Sequence, residues 1–216
     1  MKKFAVILSG CGHLDGSEIH EAVMTLLAID RNECTYSIFA PNEEQYHVMN
    51  HLTKEVTEEK RNILVEAARI ARGNVRDVKE YRPEEFDGLI LPGGYGTAKN
   101  LFTYAIDGVN AKVNPDIETA IKATYKLKKP IGALCIAPVL LSKILKDITI
   151  TVGSDPTTIA NVESMGAHHI NTLQREVISD KQNMIFSTPC YMLPATIADI
   201  ADSADNLICA ILENIQ

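Results

Sequence analysis

Residues 130–138 read Pro-Ile-Gly-Ala-Leu-Cys-Ile-Ala-Pro. The run Ile131 to Leu134 predicts a short strand buried on both faces, and Ala137 to Leu145 predicts a helix. The chain must therefore turn sharply at Cys135. Such a corner is where an α/β sheet displays a nucleophile, as in the Gly-x-Ser-x-Gly elbow. The spacing departs from that elbow: Gly132 lies three residues before the cysteine, and no glycine lies two after it. A thiol at the corner faces the amide ends of the new helix, which favour thiolate over thiol.

The rest of the chain repeats the alternation. Strands are predicted over 4–8, 36–40, 87–92 and 148–152, and a hairpin pairs 176–179 with 184–187 across Asp180-Lys181-Gln182-Asn183. Helices are predicted after Ser17 as N-cap, over 58–72, 114–128 and 157–165, and over 194–215. The first helix should bury Ile19, Val23, Leu26 and Leu27. Strands alternating with helices imply an α/β fold with a mainly parallel sheet and right-handed crossovers. Ligands then bind beyond the C-terminal ends of the strands, at loops 9–18, 92–98, 135–138 and 187–191.

At 216 residues, 46 % of them apolar, the chain suits one domain over 1–216. Its net charge of −7 and lack of a basic block argue against nucleic acid or an anionic membrane as partner. The start, Met-Lys-Lys-Phe-Ala-Val-Ile-Leu-Ser, reads as a first strand rather than a signal peptide. Five scattered cysteines without a Cys-x-x-Cys form neither a disulfide framework nor a zinc site, so a reducing cytoplasm is expected. His47 and His51 have a half-metal-site spacing but no third ligand, so no metal is expected. Gly10-x-Gly12-x-x-x-Gly16 follows the first strand, yet the second ends in Phe39-Ala40-Pro41-Asn42 without the acidic residue of a dinucleotide site. No cofactor is expected.

Four segments together resemble one family. They are Ser-Gly-Cys-Gly-x-x-Asp-Gly-Ser-Glu-Ile-His-Glu at 9–21, Arg-Asn-Ile-Leu-Val-Glu-Ala-Ala-Arg-Ile-Ala-Arg-Gly at 61–73, Leu-Pro-Gly-Gly-Tyr-Gly-Thr-Ala-Lys-Asn-Leu at 91–101 and Cys-Ile-Ala-Pro at 135–138. They are similar to the ElbB, or enhancing-lycopene-biosynthesis, family of the PfpI-type superfamily, essentially end to end. The resemblance implies a flavodoxin-like three-layer sandwich, class I glutamine amidotransferase-like, and a homodimer. It also implies a glutathione-independent glyoxalase-type lyase activity on small 2-oxoaldehydes, and a link to isoprenoid metabolism.

Site roles follow. Cys135 is the expected nucleophile, adding to an aldehyde carbon. The superfamily has a glutamate that hydrogen-bonds this cysteine; Glu21 fits that position best, and Glu18 lies one turn before it. Buried beside sulfur, such a carboxyl should be protonated and able to shuttle a proton. Gly93 and Gly94 make either a tight turn or, with the Ile136 amide, an oxyanion hole. Cys11, Cys190 and Thr188 sit after strand ends; Cys11 and Thr188 are candidate substrate-binding residues, and either cysteine is a candidate resolving thiol for Cys135. Cys34 and Cys209 read as structural. A glutaminase needs a late His-x-Glu, where this chain has His169-Ile170-Asn171; PfpI-type peptidases carry a histidine after the nucleophile, where it has Ile136. The competing function is redox sensing or partner binding through the same cysteine.

Overall fold

The computed structural model describes residues 1–215. In chain order its elements are β1 (Lys3–Ile7), α1 (Ile19–Arg31), β2 (Thr35–Ala40), β3 (Met49–Asn50), β4 (Glu55–Val56), α2 (Ile63–Ile70), β5 (Val75–Asp77), β6 (Gly88–Leu91), α3 (Tyr104–Asp107) and α4 (Pro115–Lys126). They continue with β7 (Ile131–Leu134), α5 (Ala137–Ile144), β8 (Thr149–Ile150), α6 (Pro156–Ser164), β9 (His168–His169), β10 (Ile178–Asp180), β11 (Ile185–Thr188) and α7 (Ile197–Leu212).

Seven strands form one sheet in the order β10-β11-β7-β6-β1-β2-β5. Every pairing in it is parallel except the β10–β11 hairpin at one edge, where Ser179 faces Phe186. Alternate residues of the strands point to opposite faces. Ala5, Ile7, Leu89, Leu91, Ile131 and Ala133 pack with Ile117 and Ile121 of α4 and with Leu140 and Leu141 of α5. Phe4, Val6, Leu8, Ile90 and Leu134 pack with Ala22 and Ile29 of α1, Ile63 of α2, and Leu207 and Ile211 of α7. The result is a three-layer α/β sandwich with a core on each face of a mostly parallel sheet.

The connections fix where a site can form. The β1–β2 crossover runs through α1 on one face, and the β6–β7 crossover through α4 on the other. The strand order therefore reverses direction between β1 and β6, which opens a crevice at their C-terminal ends. The loops after β1 and β6 and the corner after β7 meet there.

Several expected boundaries shift. Helix α1 is capped by Glu18, whose side chain accepts from the Glu21 amide, and not by Ser17. The Ser17 hydroxyl accepts instead from the Ser9 amide at 2.8 Å, tying the loop to the end of β1. Helix α2 spans only Ile63–Ile70, started by Asn62, and residues 49–56 form a small hairpin before it. The strand expected at 148–152 is two residues of a separate pair with His168-His169, outside the main sheet.

Candidate active site

Strand β7 ends at Leu134, and Cys135 turns the chain into α5 with φ +60°. A non-glycine residue in this left-handed region costs about 1–2 kcal/mol. The corner is held because the Cys135 amide donates to the Thr188 carbonyl of β11 at 3.0 Å. Pro138 sits in the first turn of α5, where its missing N–H costs nothing.

The loop after β6 reaches this corner because it carries glycine. A Cβ on Gly93 would lie 2.5 Å from the Cys135 Cβ and 2.6 Å from Glu21 Oε2. At Gly94, with φ +102°, it would lie 2.4 Å from the Glu18 amide nitrogen. No other residue allows backbone, acid and thiol to come so close.

Glu21 projects from α1 into the same point and is fully buried. Its Oε2 accepts from the Gly93 amide at 3.0 Å and its Oε1 from the Tyr191 amide at 3.3 Å. It also hydrogen-bonds the Cys135 side chain. Burial first, and then the Glu18 charge, push its carboxyl up to about 8, so it is protonated at neutral pH and can donate to sulfur. The stripe expected on α1 was therefore displaced: Glu21, Ala22, Thr25, Ala28 and Ile29 face inward, while Ile19 and Val23 are exposed.

The thiolate expected at the helix N-terminus is corrected by the surroundings of the sulfur. Burial, and then the Glu21 charge, push the Cys135 thiol up, while the Gly94 amide hydrogen-bonds the sulfur and pulls the other way. The resting pair is thiol beside carboxylic acid. Its first proton loss belongs to the pair rather than to either residue.

Above the pair opens a cavity of about 730 Å³. Cys135, Ile136, Gly94 and Glu18 line it. So do groups that sequence reading left out: His13, Tyr95, Tyr104, Asp155, Thr158, Tyr191 and Met192. His20 also lines it. Its Nδ1 lies 2.9 Å from the Tyr191 hydroxyl and 3.9 Å from Glu18 Oε1, because Glu18 is the cap and sits off the helix body. No local pattern announces these residues; they come from five separate segments that only the fold assembles. The start of α5 adds N–H groups without partners inside the helix, Ile136 among them.

Other expected site residues lie elsewhere. Cys11 does not line the cavity; it is half-buried near Glu66, Arg69 and Asp15, and burial pushes its thiol up. Thr188 supports the corner through its carbonyl, while its hydroxyl is buried without a hydrogen-bond partner among the described residues. Cys190 is fully buried, with a thiol also pushed up by burial and then by Glu21. His47 and His51 flank a turn and a short strand rather than a helix, so their spacing does not align them. Among the described residues no group of three or more potential ligands could hold a metal. Nor is any described helix long and apolar enough to cross a membrane.

A cysteine at a strained strand-to-helix corner, joined to a buried acid from α1, coincides with a family match. Residues 11–195 fit the DJ-1/PfpI family. The chain belongs to that family. Over 221 aligned residues it is 39 % identical to a Rattus norvegicus protein named ES1 protein homolog, mitochondrial, covering 98 % of this chain and 83 % of that one. Its fold matches the crystal structure of an isoprenoid biosynthesis protein with amidotransferase-like domain from Ehrlichia chaffeensis with TM-score 0.92 and 40 % identity, over 99 % of this chain and 100 % of that chain. Glyoxalase III from Candida albicans shares the fold alone: TM-score 0.66, 15 % identity, over 100 % of this chain and 98 % of that chain. The sandwich is thus the flavodoxin-like, class I glutamine amidotransferase-like one of DJ-1/PfpI proteins.

Proposed function

We propose that this DJ-1/PfpI protein is a glutathione-independent glyoxalase-type enzyme that converts a 2-oxoaldehyde to a 2-hydroxy acid. The observation that carries the reading is the hydrogen-bonded Glu21–Cys135 pair at the floor of an open cavity. The sulfur adds to the aldehyde carbon, and the thiol proton ends on the carbonyl oxygen, giving a hemithioacetal. The Ile136 amide holds that oxygen, joined by the Gly94 amide, which is released from the sulfur once the sulfur is bonded to carbon. A base then takes the proton from the former aldehyde carbon, and an acid returns one to the neighbouring carbon through an enediol. The product is a thioester, which water cleaves to hydroxy acid and free thiol, with no net redox change. Glu21 manages the sulfur's proton. Both its oxygens are engaged by amides behind the sulfur, so the carbon-to-carbon shift falls to Glu18 and His20, which face the cavity.

The four motifs support the ElbB branch, with its homodimer and its link to isoprenoid metabolism. Five cysteines without a disulfide among them support a reducing, cytoplasm-like compartment. Redox sensing is the second reading, favoured by the access that the open cavity gives to the Cys135 sulfur. Purified protein should form lactate from methylglyoxal with EDTA present and glutathione absent, and Cys135→Ala should abolish it. Equal turnover by that variant sinks the proposal. Selective oxidation of Cys135 without aldehyde turnover selects the sensor.

A further inference from the structure

The cavity is much larger than the reaction needs. A volume of about 730 Å³ lies in the range that takes ligands of drug size, roughly 300–1,000 Å³. A three-carbon aldehyde would fill only its floor. The remaining space is bordered by two imidazoles, His13 and His20, the latter 3.9 Å from Glu18, but the carboxyl groups there have no lysine or arginine to oppose them. Two carboxylates line it, Glu18 and Asp155, and no lysine or arginine does. Thr158 hydrogen-bonds Asp155 through both amide and hydroxyl, which holds its carboxyl below the usual range and keeps it charged. His13 adds no compensating charge at neutral pH, because burial and then the neighbouring His51 push its imidazole down. Lys99 is outside the lining, its ammonium bonded to the Leu14 carbonyl at 2.9 Å and 5.9 Å from the centre of the Tyr95 ring. Three phenol rings, Tyr95, Tyr104 and Tyr191, supply flat faces of the kind that attract cations and stack on planar groups.

We propose that this cavity selects an aldehyde carried on a neutral or positively charged body larger than three carbons, and discriminates against one bearing a carboxylate or phosphate. Asp155 is a specificity-determining residue in this scheme. The aldehyde identity of the ligand rests on the glyoxalase reading; the charge preference of the cavity does not.

Two methanethiosulfonates of matched size, 2-ammonioethyl and 2-sulfonatoethyl, separate the two claims. Each forms a mixed disulfide with the Cys135 sulfur and releases methanesulfinate, so their rate ratio is independent of the thiolate fraction. Modification of Cys135 is followed by peptide mass at low ionic strength. The cationic reagent should react about fivefold faster, an advantage that fades at 0.5 M salt. Asp155→Asn should roughly halve the ratio, since it removes one of the two lining charges. Asp147→Asn, an equal change in net charge at an exposed residue outside the cavity, should leave it unchanged. Equal or faster labelling by the anion overturns the proposal, as does an equal effect of the two substitutions. In parallel, kcat/KM is compared for three 2-oxoaldehydes, phenylglyoxal, methylglyoxal and 4-carboxyphenylglyoxal, with phenylglyoxal expected above both of the others. Turnover with 4-carboxyphenylglyoxal at least equal to phenylglyoxal refutes the substrate selection while the glyoxalase reading stands. A labelling preference for the cation with no aldehyde consumed refutes the glyoxalase reading while the charge preference stands.

Discussion

Glu21→Gln tests the buried acid through stability rather than activity. In the fold the carboxyl titrates at about 8, against an ordinary 4.5. A raised folded-state value means that the folded protein holds the proton more tightly than the unfolded chain. The contribution is therefore fully present below pH 4.5, is lost as pH rises, and levels off above 8. Each unit within that window costs about 1.4 kcal/mol, so wild type should lose roughly 2.5 kcal/mol from this group between pH 5 and 7. Glutamine cannot ionise and loses none of it. It does sacrifice an acceptor: the two carboxyl oxygens receive the amides of Gly93 and Tyr191, and one carbonyl cannot serve both sites. A buried amide left without a partner costs about 1–3 kcal/mol at every pH. The variant should thus be the less stable protein at pH 5 and gain on wild type steadily to pH 8. Urea denaturation midpoints across that range read the difference, in which the other titrating groups largely cancel. Parallel stability curves for the two proteins would show that Glu21 is ionised or solvated in the fold, and the proton donor to sulfur would be lost with it.

Three further outcomes follow from the same geometry. Alkylation of Cys135 should speed up with pH towards a midpoint near 8, where the Glu21–Cys135 pair loses its first proton, and Glu18→Gln should move that midpoint lower, because the Glu18 charge helps hold the Glu21 proton; an unmoved midpoint in the pH–alkylation profile removes that coupling. Cys135→Gly should be more stable than Cys135→Ala by about 1 kcal/mol, since both lose the sulfur and only alanine pays for φ +60°; thermal melts of the pair decide it, and equal stability argues against the strained corner. Gly93→Ala should destabilise by about 1–3 kcal/mol and slow alkylation of Cys135, because the new methyl lands on the thiol and the acid; native stability with native alkylation shows that the loop does not approach the sulfur.

Much of this architecture was readable from local pattern. Continuous apolar runs such as Phe4–Leu8 and Ile131–Leu134 cannot sit at a surface, so buried parallel strands were the available solution. Asn114-Pro115 marked a helix start by chemistry alone, with the Asn114 side chain accepting from the amides of Asp116 and Ile117. The corner at Cys135 followed from having too few residues between strand and helix for any wider turn. What resisted reading depends on contacts distant in sequence. Strand 148–152 looked like part of the main sheet because its composition matches a core strand, yet its partner is His168-His169. His20 escaped because its role depends on Tyr191, 171 positions later.

Glu21 shows why hydrophobic periodicity fails where chemistry is placed. On apolarity alone α1 would turn Ile19 and Val23 inward, and their exposure together with the burial of an acid runs against local preference. The helix resolves this by packing small residues, Ala22 and Ala28, closely against the sheet and α7, which leaves the acid on the line of approach to the sulfur. Burial of the carboxyl costs stability at neutral pH, and the left-handed cysteine adds a local strain of its own. Neither improves the core. A fold with an apolar layer on each side of seven strands can carry both, since the two features sit at the end of the sheet, where the layers thin into loops. If that cost were incidental, swapping the acid for a neutral isostere would improve stability at neutral pH without harming turnover. The proposed chemistry requires that a variant without the ionisable acid loses the thiol's response to pH near 8 as well as the enzyme's rate.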